Sequence, residues 1–170
     1  MISTERLAIR RVRADDWRAI QTIWVKAAKA PYARYDIPND TRDDAVMSRI
    51  EKWASYADST EHMFFAVCKQ EKVIGYVSLN QRDKGYEIGY CFNTDYHGHG
   101  YARESISKLT DVLRAGGSLI IARTALRNTP SVRLLSSLGF RMTGTEKVSF
   151  YKDGAGDDIY FDGGIFELKL

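Results

Sequence analysis

The stretch DYHGHGYARE, residues 95–104, places two glycines and two histidines directly before an expected helix. The free backbone N–H groups at a helix N-terminus converge on one point and carry the positive end of the helix dipole. Such a point binds anions, phosphate above all. Gly98 and Gly100 would let the main chain approach a pyrophosphate, and Ala102 is small where the helix must pack on a strand. We therefore predict a phosphate-binding loop, with an ordinary strand-to-helix turn as the alternative.

Three other motifs of glycine or histidine do not fit this stretch. A dinucleotide fingerprint would need a glycine at position 103, where Arg103 stands. A Walker loop would need lysine and then serine or threonine after its last glycine, whereas Gly100 is followed by tyrosine and alanine. His97 and His99, together with Cys91, supply at most part of a zinc site, so no metal is predicted.

The hydrophobic pattern predicts four helices that would position this loop. They are expected over 17–30, from Thr41 or Asp43 onward, after the glycine loop up to Gly116-Gly117, and from NTPS at 128–131. The predicted inward-facing residues are Trp17, Ile20, Ile23, Trp24 and Ala27, then Val46, Ile50 and Trp53, then Ile106, Leu109, Val112 and Leu113, and finally Val132, Leu135 and Leu138.

Apolar and β-branched runs predict seven strands. They are expected at 6–12, 63–68, 73–79, 86–92 and 118–124, followed by two closing strands on either side of a DGAG turn. The order β-α-α-β-β-β-α-β-α-β-β predicts a single α/β domain over residues 1–170. Its hairpins would be antiparallel, and its two strand–helix–strand crossovers would make the middle of a mixed sheet parallel.

Composition excludes several classes of function. The chain has 170 residues, of which 44% are hydrophobic and 28% charged, values typical of a globular domain. Its formal charge of +3 is small and scattered, so no nucleic-acid partner is predicted. The charged N-terminus and the lack of a long apolar run predict a cytoplasmic protein without a membrane partner. Cys68 and Cys91 lie in strand-like apolar runs and are expected to be free thiols.

The run HGHGYA at 97–102 resembles the acetyl-CoA pyrophosphate loop of the GNAT superfamily of N-acetyltransferases. That pattern is Gln or Arg, two free positions, Gly, one free position, then Gly or Ala, and His97 at the first position is the only departure. TERLAIR at 4–10, YEIGY before the loop and NTPSVRLLSSLGFRMTG at 128–144 resemble, in order and spacing, the Rim-type branch. The best-known members of that branch acetylate the N-termini of ribosomal proteins.

The resemblance implies a GNAT fold, acetyl-CoA as cosubstrate and direct acetyl transfer to a primary amine in a ternary complex. The fold would be a mixed sheet of about seven strands with helices on both faces. Its two central parallel strands, at 86–92 and 118–124, would splay apart to admit the pantetheine arm. The implied cofactor-binding residues are Tyr90, Cys91 and Phe92 through their backbone, the loop residues His97, Gly98, His99, Gly100, Tyr101, Ala102 and Arg103, and Asn128. A plain helix cap is the alternative for Asn128.

The catalytic residues that the resemblance implies each have an alternative. Many GNAT enzymes protonate the leaving thiolate with a tyrosine, which is Leu135 here, while Ser131 matches a serine that serves in some Rim-type enzymes. Ser131 could equally satisfy backbone donors in a first helical turn. Glu87 matches the base of the histone-acetylating branch, and Glu146 is the second candidate because Phe150 occupies the Rim-type glutamate position. An α-amino group, with a pKa of about 7.7–8.0, could also react without a base.

The acceptor is expected to be a protein N-terminus or a small amine. Its pocket would be built from the first two helices with their loop, YARYDIPND, and from the last hairpin. Tyr32, Tyr35 and Tyr151 would form its walls or, alternatively, belong to the core. Six aspartates in these segments would favour a cationic amine or, alternatively, be ordinary solvated turn residues: Asp36, Asp40, Asp153, Asp157, Asp158 and Asp162. A catalytically silent CoA-binding sensor and an ATP-binding protein are the alternative functions, and a homodimer is compatible with the sequence.

Overall fold

A computed structural model describes residues 1–117 and 119–170 of the chain. Its strands are β1 (Ile2–Ser3), β2 (Ala8–Arg11), β3 (His62–Lys69), β4 (Lys72–Arg82), β5 (Gly85–Phe92), β6 (Leu119–Ala125), β7 (Arg141–Lys152) and β8 (Asp158–Lys169). Its α-helices are α1 (Trp17–Ala27), α2 (Asp43–Ser55), α3 (Tyr101–Leu113) and α4 (Thr129–Ser137). Within the described residues the strands form one sheet in the order β1-β2-β3-β4-β5-β6-β8-β7.

The predicted α/β fold with a mixed sheet is confirmed. The strand beyond the seven expected is β1, whose two residues are too short to leave a hydrophobic pattern. The predicted strand at 118–124 corresponds to β6, and its first residue, Ser118, lies outside the described residues.

One part of the predicted topology is wrong. The crossover from β5 through α3 does give a parallel neighbour, β6. The crossover from β6 through α4 does not, because β8 lies between β6 and β7 and is antiparallel to both. The pattern of the closing hairpin predicts two strands, but it does not indicate which of them will pair with the rest of the sheet.

The parallel pair separates after a short contact. Residues 86–88 of β5 pair with residues 120–122 of β6, and the pairing ends there. On its other side β5 stays paired with β4 as far as Phe92 opposite Gly75, and β6 stays paired with β8 as far as Ala125. In the described part of the chain, β5 after Ile88 therefore has no strand partner on its β6 side, which confirms the expected splay.

Helices cover both faces of the sheet because the strands carry apolar residues at successive positions, which point to opposite faces. Along β3, Met63, Phe65 and Val67 face one side while Phe64, Ala66 and Cys68 face the other. The first face packs against Ile106, Leu109 and Leu135 of α3 and α4. The second packs against Ile20, Ile23, Trp24, Val46 and Ile50 of α1 and α2. Two hydrophobic cores thus hold the splayed strands from either side.

Two local expectations need correction. The first helix ends at Ala27 rather than Ala30, since Pro31 disfavours helical backbone at the residue before it. Val112 is 53% exposed rather than buried, because it lies at the edge of the stripe defined by Ile106 and Leu109. Both cysteines are free thiols, as predicted. No helix in the described ranges has the length and apolarity that a bilayer crossing requires.

Candidate active site

A cavity of about 990 Å³ opens where β5 and β6 separate. Its walls come from the end of α1 and the loop after it, the end of β5, the glycine loop with the first turn of α3, the end of β6, and the first turn of α4. This volume is at the upper end of the range of small-molecule sites. The cavity therefore has room for an extended ligand.

The inner wall of the cavity is the end of β5, which includes Tyr90, Cys91 and Phe92. Because the pairing with β6 stops at Ile88, the backbone of this segment is open on the cavity side. Backbone N–H and C=O groups need hydrogen-bond partners. A ligand with amide groups can supply them in the way that an added strand would.

The glycine loop leads directly into α3. Gly98 and Gly100 have φ angles of +76° and +78°, a left-handed conformation that favours glycine. Gly100 is the N-cap residue of α3 and has no side chain to bond the first N–H groups of the helix. Space beside both glycines is open, since a Cβ on Gly98 would meet no atom within 4 Å and one on Gly100 would come no closer than 3.6 Å to Arg6. The loop is thus shaped to leave helix N–H groups available to an anion.

The two histidines of the loop have different surroundings. The His97 Nε2 lies 3.0 Å from the carbonyl oxygen of Phe92, so this nitrogen donates and ties the loop to the end of β5. The His99 ring stacks on Tyr101 at 5.6 Å, and its Nδ1 lies 2.7 Å from the His97 carbonyl oxygen. His97 lines the cavity, whereas His99 is not among the described lining residues. The structure thus separates the two histidines, with His97 on the cavity wall and His99 stacked on Tyr101.

Sequence reasoning did not anticipate the contacts that brace the loop from behind. Arg6 donates through Nε to Glu104 at 2.7 Å and through Nη1 to the His99 carbonyl oxygen at 3.1 Å. Its guanidinium lies 4.7 Å from the centre of the Tyr101 ring, and Thr4 also hydrogen-bonds Glu104. The segment TERLAIR thereby fixes the position of the glycine loop, and its only signal in the sequence was its resemblance to a family block.

Charged side chains are unevenly distributed in the cavity. Lys26, Lys29 and Arg103 line it together with the glycine loop, and Lys26 is ion-paired with Asp95. Cations beside an uncapped helix N-terminus favour a phosphorylated ligand. The other lining carboxylate, Asp36, lies in the loop after α1.

Two hydroxyl groups meet on the cavity wall. The Tyr90 hydroxyl lies 2.7 Å from the Ser131 Oγ, and both residues line the cavity. Burial raises the pKa of the Tyr90 phenol to about 12. Only the backbone of Tyr90 was predicted to function, and no sequence pattern indicated that this phenol would meet a serine on a distant helix.

Asn128 caps α4, and it also lines the cavity. Its side-chain oxygen accepts a hydrogen bond from the Ser131 backbone N–H at 3.4 Å. The helix-cap alternative for Asn128 is thus observed, at a residue that is also part of the cavity wall.

Cys91 lines the cavity, but its thiol is a weak nucleophile. Burial, with an added contribution from the charge of Asp36, raises the pKa of this thiol to about 12. The nucleophilic thiolate is therefore scarce near neutral pH.

The two candidate bases are both bound to one arginine. Glu87 accepts from Arg82 Nε at 2.8 Å and lies 4.0 Å from Arg123 Nε. Glu146 accepts from Arg123 Nη1 at 2.9 Å. Arg123 lines the cavity, whereas neither glutamate is among the described lining residues. The structure thus brings the two glutamates together, with Arg123 between them.

Of the six aspartates predicted at the acceptor pocket, the described cavity lining includes Asp36. The others have different surroundings. Asp40 pairs with Arg42, Asp158 with Lys152 and Asp162 with Lys147, while Asp153 accepts from backbone N–H groups within its own turn and Asp157 is exposed beside it.

The three tyrosines predicted as walls differ in role. Tyr32 lines the cavity, and its hydroxyl lies 3.3 Å from the Thr129 Oγ1. Tyr35 packs edge-on against Phe161 of β8 at 5.4 Å. Tyr151 of β7 donates its hydroxyl hydrogen to backbone carbonyl groups of the loop after α1.

Acetyl-CoA fits these residues. Its pyrophosphate is suited to the left-handed glycines, the uncapped start of α3 and the nearby cations, and its amide groups are suited to the open edge of β5. An amide-containing ligand with phosphates at one end matches both parts of the cavity.

Comparison with known proteins agrees with this assignment. The chain matches the family described as "Acetyltransferase (GNAT) domain" over residues 6–141. An uncharacterized N-acetyltransferase of Bacillus licheniformis, p20, is 28% identical over 146 residues, which cover 83% of this chain and 82% of that protein.

Two solved structures share the fold. The ribosomal-protein-S5-alanine acetyltransferase from Vibrio fischeri has a TM-score of 0.80 at 21% identity, covering 98% of this chain and 94% of that one. YncA from Salmonella typhimurium, solved with its cofactor acetyl-CoA, has a TM-score of 0.73 at 24% identity, covering 98% and 95%. Since the family match spans most of the chain, the protein belongs to the GNAT family and is an acetyl-CoA-dependent N-acetyltransferase.

Proposed function

We propose that this protein transfers an acetyl group directly from acetyl-CoA to the primary amine of a protein N-terminus or a small molecule, in a ternary complex. The cavity between β5 and β6 is the main support for the proposal, because its lining contains both the predicted phosphate-binding loop and the hydroxyl pair of Tyr90 and Ser131. The blocks that resemble the Rim-type branch support an α-amino acceptor, as does the name of the Vibrio fischeri protein, a ribosomal-protein-S5-alanine acetyltransferase.

We infer that two parts of the chain hold the cosubstrate. The backbone N–H groups of residues 98–103 would bind the pyrophosphate, with Lys29 and Arg103 adding positive charge. The open edge of β5 at residues 90–92 would pair with the pantetheine amides, and the Asn128 carboxamide lies on the opposite wall.

When bound, acetyl-CoA supplies a thioester whose carbonyl carbon the neutral amine attacks, so that a C–N bond forms, the C–S bond breaks and the thiolate takes up a proton. We propose that Ser131 gives that proton and that Tyr90 replaces it across their 2.7 Å hydrogen bond. With a pKa near 12, the phenol remains protonated at neutral pH and can donate. This pair would fill the role that Leu135 leaves open.

Direct transfer is favoured over an acetyl-cysteine intermediate, because the high pKa of Cys91 keeps its thiol protonated. For the proton that the amine loses, Glu87 and Glu146 stay the candidate bases. Both carboxylates are already bound by arginine. An α-amino acceptor needs a base least, because it is partly neutral at cellular pH.

The proposed function is tested by a thiol-release assay after calorimetric confirmation of acetyl-CoA binding. The amine panel contains Ala- and Ser-starting peptides, an N-blocked lysine peptide, spermidine and kanamycin. We expect release of CoA thiol with at least one amine, in proportion to acetylated product. Binding without turnover on any amine would indicate a CoA sensor instead, and tighter binding of ATP than of CoA would overturn the cosubstrate assignment.

Gly100→Val should raise the Kd for acetyl-CoA at least tenfold, because a β-branched residue is strained at a φ of +78° and would displace the loop. Gly156→Val is the matched control. Gly156 also has a positive φ, +90°, and open space around it, but it lies in the last hairpin outside the described cavity lining. Calorimetry should show weakened binding for the first variant alone, and equal affinities in both would remove the pyrophosphate assignment.

Ser131→Ala should lower kcat about 100-fold, the scale of a lost general acid, with little change in the KM for acetyl-CoA. Tyr90→Phe should lower kcat as well, because the serine loses its hydrogen-bonded phenol. Ser137→Ala, on the last turn of the same helix, is the control and should leave kcat unchanged. An undiminished kcat in Ser131→Ala would show that the thiolate is protonated by another group.

Glu87→Gln should lower turnover most below the pH optimum, where a larger fraction of the amine is protonated and needs a base. Glu146→Gln is the comparison, since it also removes a carboxylate bound to Arg123. Full pH–rate profiles distinguish the two glutamates. Profiles that are unaltered in both variants would assign the proton to water.

A further inference from the structure

Asp36 stands apart from the other charged residues of the cavity. It follows the short helical turn Ala33–Tyr35 in the loop after α1, and it lines the cavity. Among the described residues, no lysine, arginine or histidine forms an ion pair with it. The other lining carboxylate, Asp95, is neutralised by Lys26. Asp36 is thus an exposed carboxylate on the cavity wall that none of the described side chains neutralises.

The closing hairpin fixes the position of Asp36. The Tyr151 hydroxyl lies 3.3 Å from the carbonyl oxygen of Ala33 and 3.1 Å from that of Asp36. Tyr35, directly before Asp36, packs edge-on against Phe161 of β8 at 5.4 Å. These contacts join the loop to β7 and β8 and hold its backbone at Asp36 in place.

The Asp36 carboxylate acts on the end of β5. Burial is the main reason why the Tyr90 and Cys91 side chains have raised pKa values, and the negative charge of Asp36 adds to both. The cavity walls also raise the pKa of Asp36 itself by limiting its hydration, although the residue stays in contact with solvent through the open mouth. Asp36 also lines the same cavity as residues 90–92 of β5, where the pantetheine arm is expected.

We propose that Asp36 binds the acceptor amine through its charge and selects amines that have no carboxylate beside them, such as peptide N-termini and polyamines, over free amino acids. The inference rests on the proposed acetyl transfer. The acceptor would be captured as its ammonium form, which supplies the counter-charge that Asp36 lacks. It would then lose a proton to water or to a carboxylate before the neutral amine attacks the thioester. An acceptor with its own carboxylate near the amine would bring two like charges together, which Asp36 disfavours.

The test compares alaninamide with alanine as acceptors, together with spermidine as a second cationic probe. Asp36→Asn should raise the KM for alaninamide and spermidine on the order of tenfold. The same variant should lower the ratio of kcat/KM for alaninamide to kcat/KM for alanine by a similar factor. Intrinsic differences between the two amines cancel, because the same pair of acceptors is measured with both proteins.

Controls separate acceptor binding from damage to the fold. Asp36→Asn should bind acetyl-CoA with unchanged Kd by calorimetry, and Asp36→Glu should restore part of the preference because it keeps the charge. Asp40→Asn removes a carboxylate of the same loop that is paired with Arg42, and it should change neither measurement.

If the wild-type protein is active and Asp36→Asn shows the same preference for alaninamide over alanine, the inference is overturned and the proposed function stays intact. Wild-type protein that acetylates none of the three probes and none of the peptide panel would overturn both.

Discussion

The site depends on the separation of β5 from β6 after three paired residues. In the middle of a sheet, an unpaired strand edge leaves backbone donors and acceptors without protein partners. Here that edge faces a cavity instead of the core, and the two hydrophobic cores on either face of the sheet keep the strands apart. A ligand that presents amide groups can complete the sheet. The unpaired edge of β5, which lacks hydrogen bonds to β6, therefore provides a binding surface.

The remaining parts of the site are arranged around this gap. The glycine loop leaves the end of β5 and is fastened to it by His97, while Arg6 and Glu104 hold the loop from the outside. The cavity has cations beside the glycine loop and the free carboxylate of Asp36 in the loop after α1. In the proposed function the phosphates lie at the glycine loop and the amine lies at Asp36, with the Tyr90–Ser131 hydroxyl pair on the wall of the same cavity.

Features set by neighbouring residues were predicted from the sequence. Helix stripes, strand runs and the glycine loop before α3 all depend on local patterns, and the family resemblance added the splay. Features set by distant residues were not predicted. Tyr90 and Ser131 are 41 residues apart. Arg123 of β6 contacts Glu87 on the neighbouring strand β5 and Glu146 on β7, across β8, so this contact depends on the strand order. Asp36 could not be distinguished from five other aspartates until the structure showed which of them lines the cavity.

The most direct measurement is a crystal structure of the complex with acetyl-CoA. We expect the pantetheine amides to hydrogen-bond the backbone of residues 90–92 on the side facing β6, with the pyrophosphate oxygens on the N–H groups of residues 98–103. A ligand that lay outside the β5–β6 gap, with water at the open edge of β5, would contradict the claim that acetyl-CoA binds in this gap.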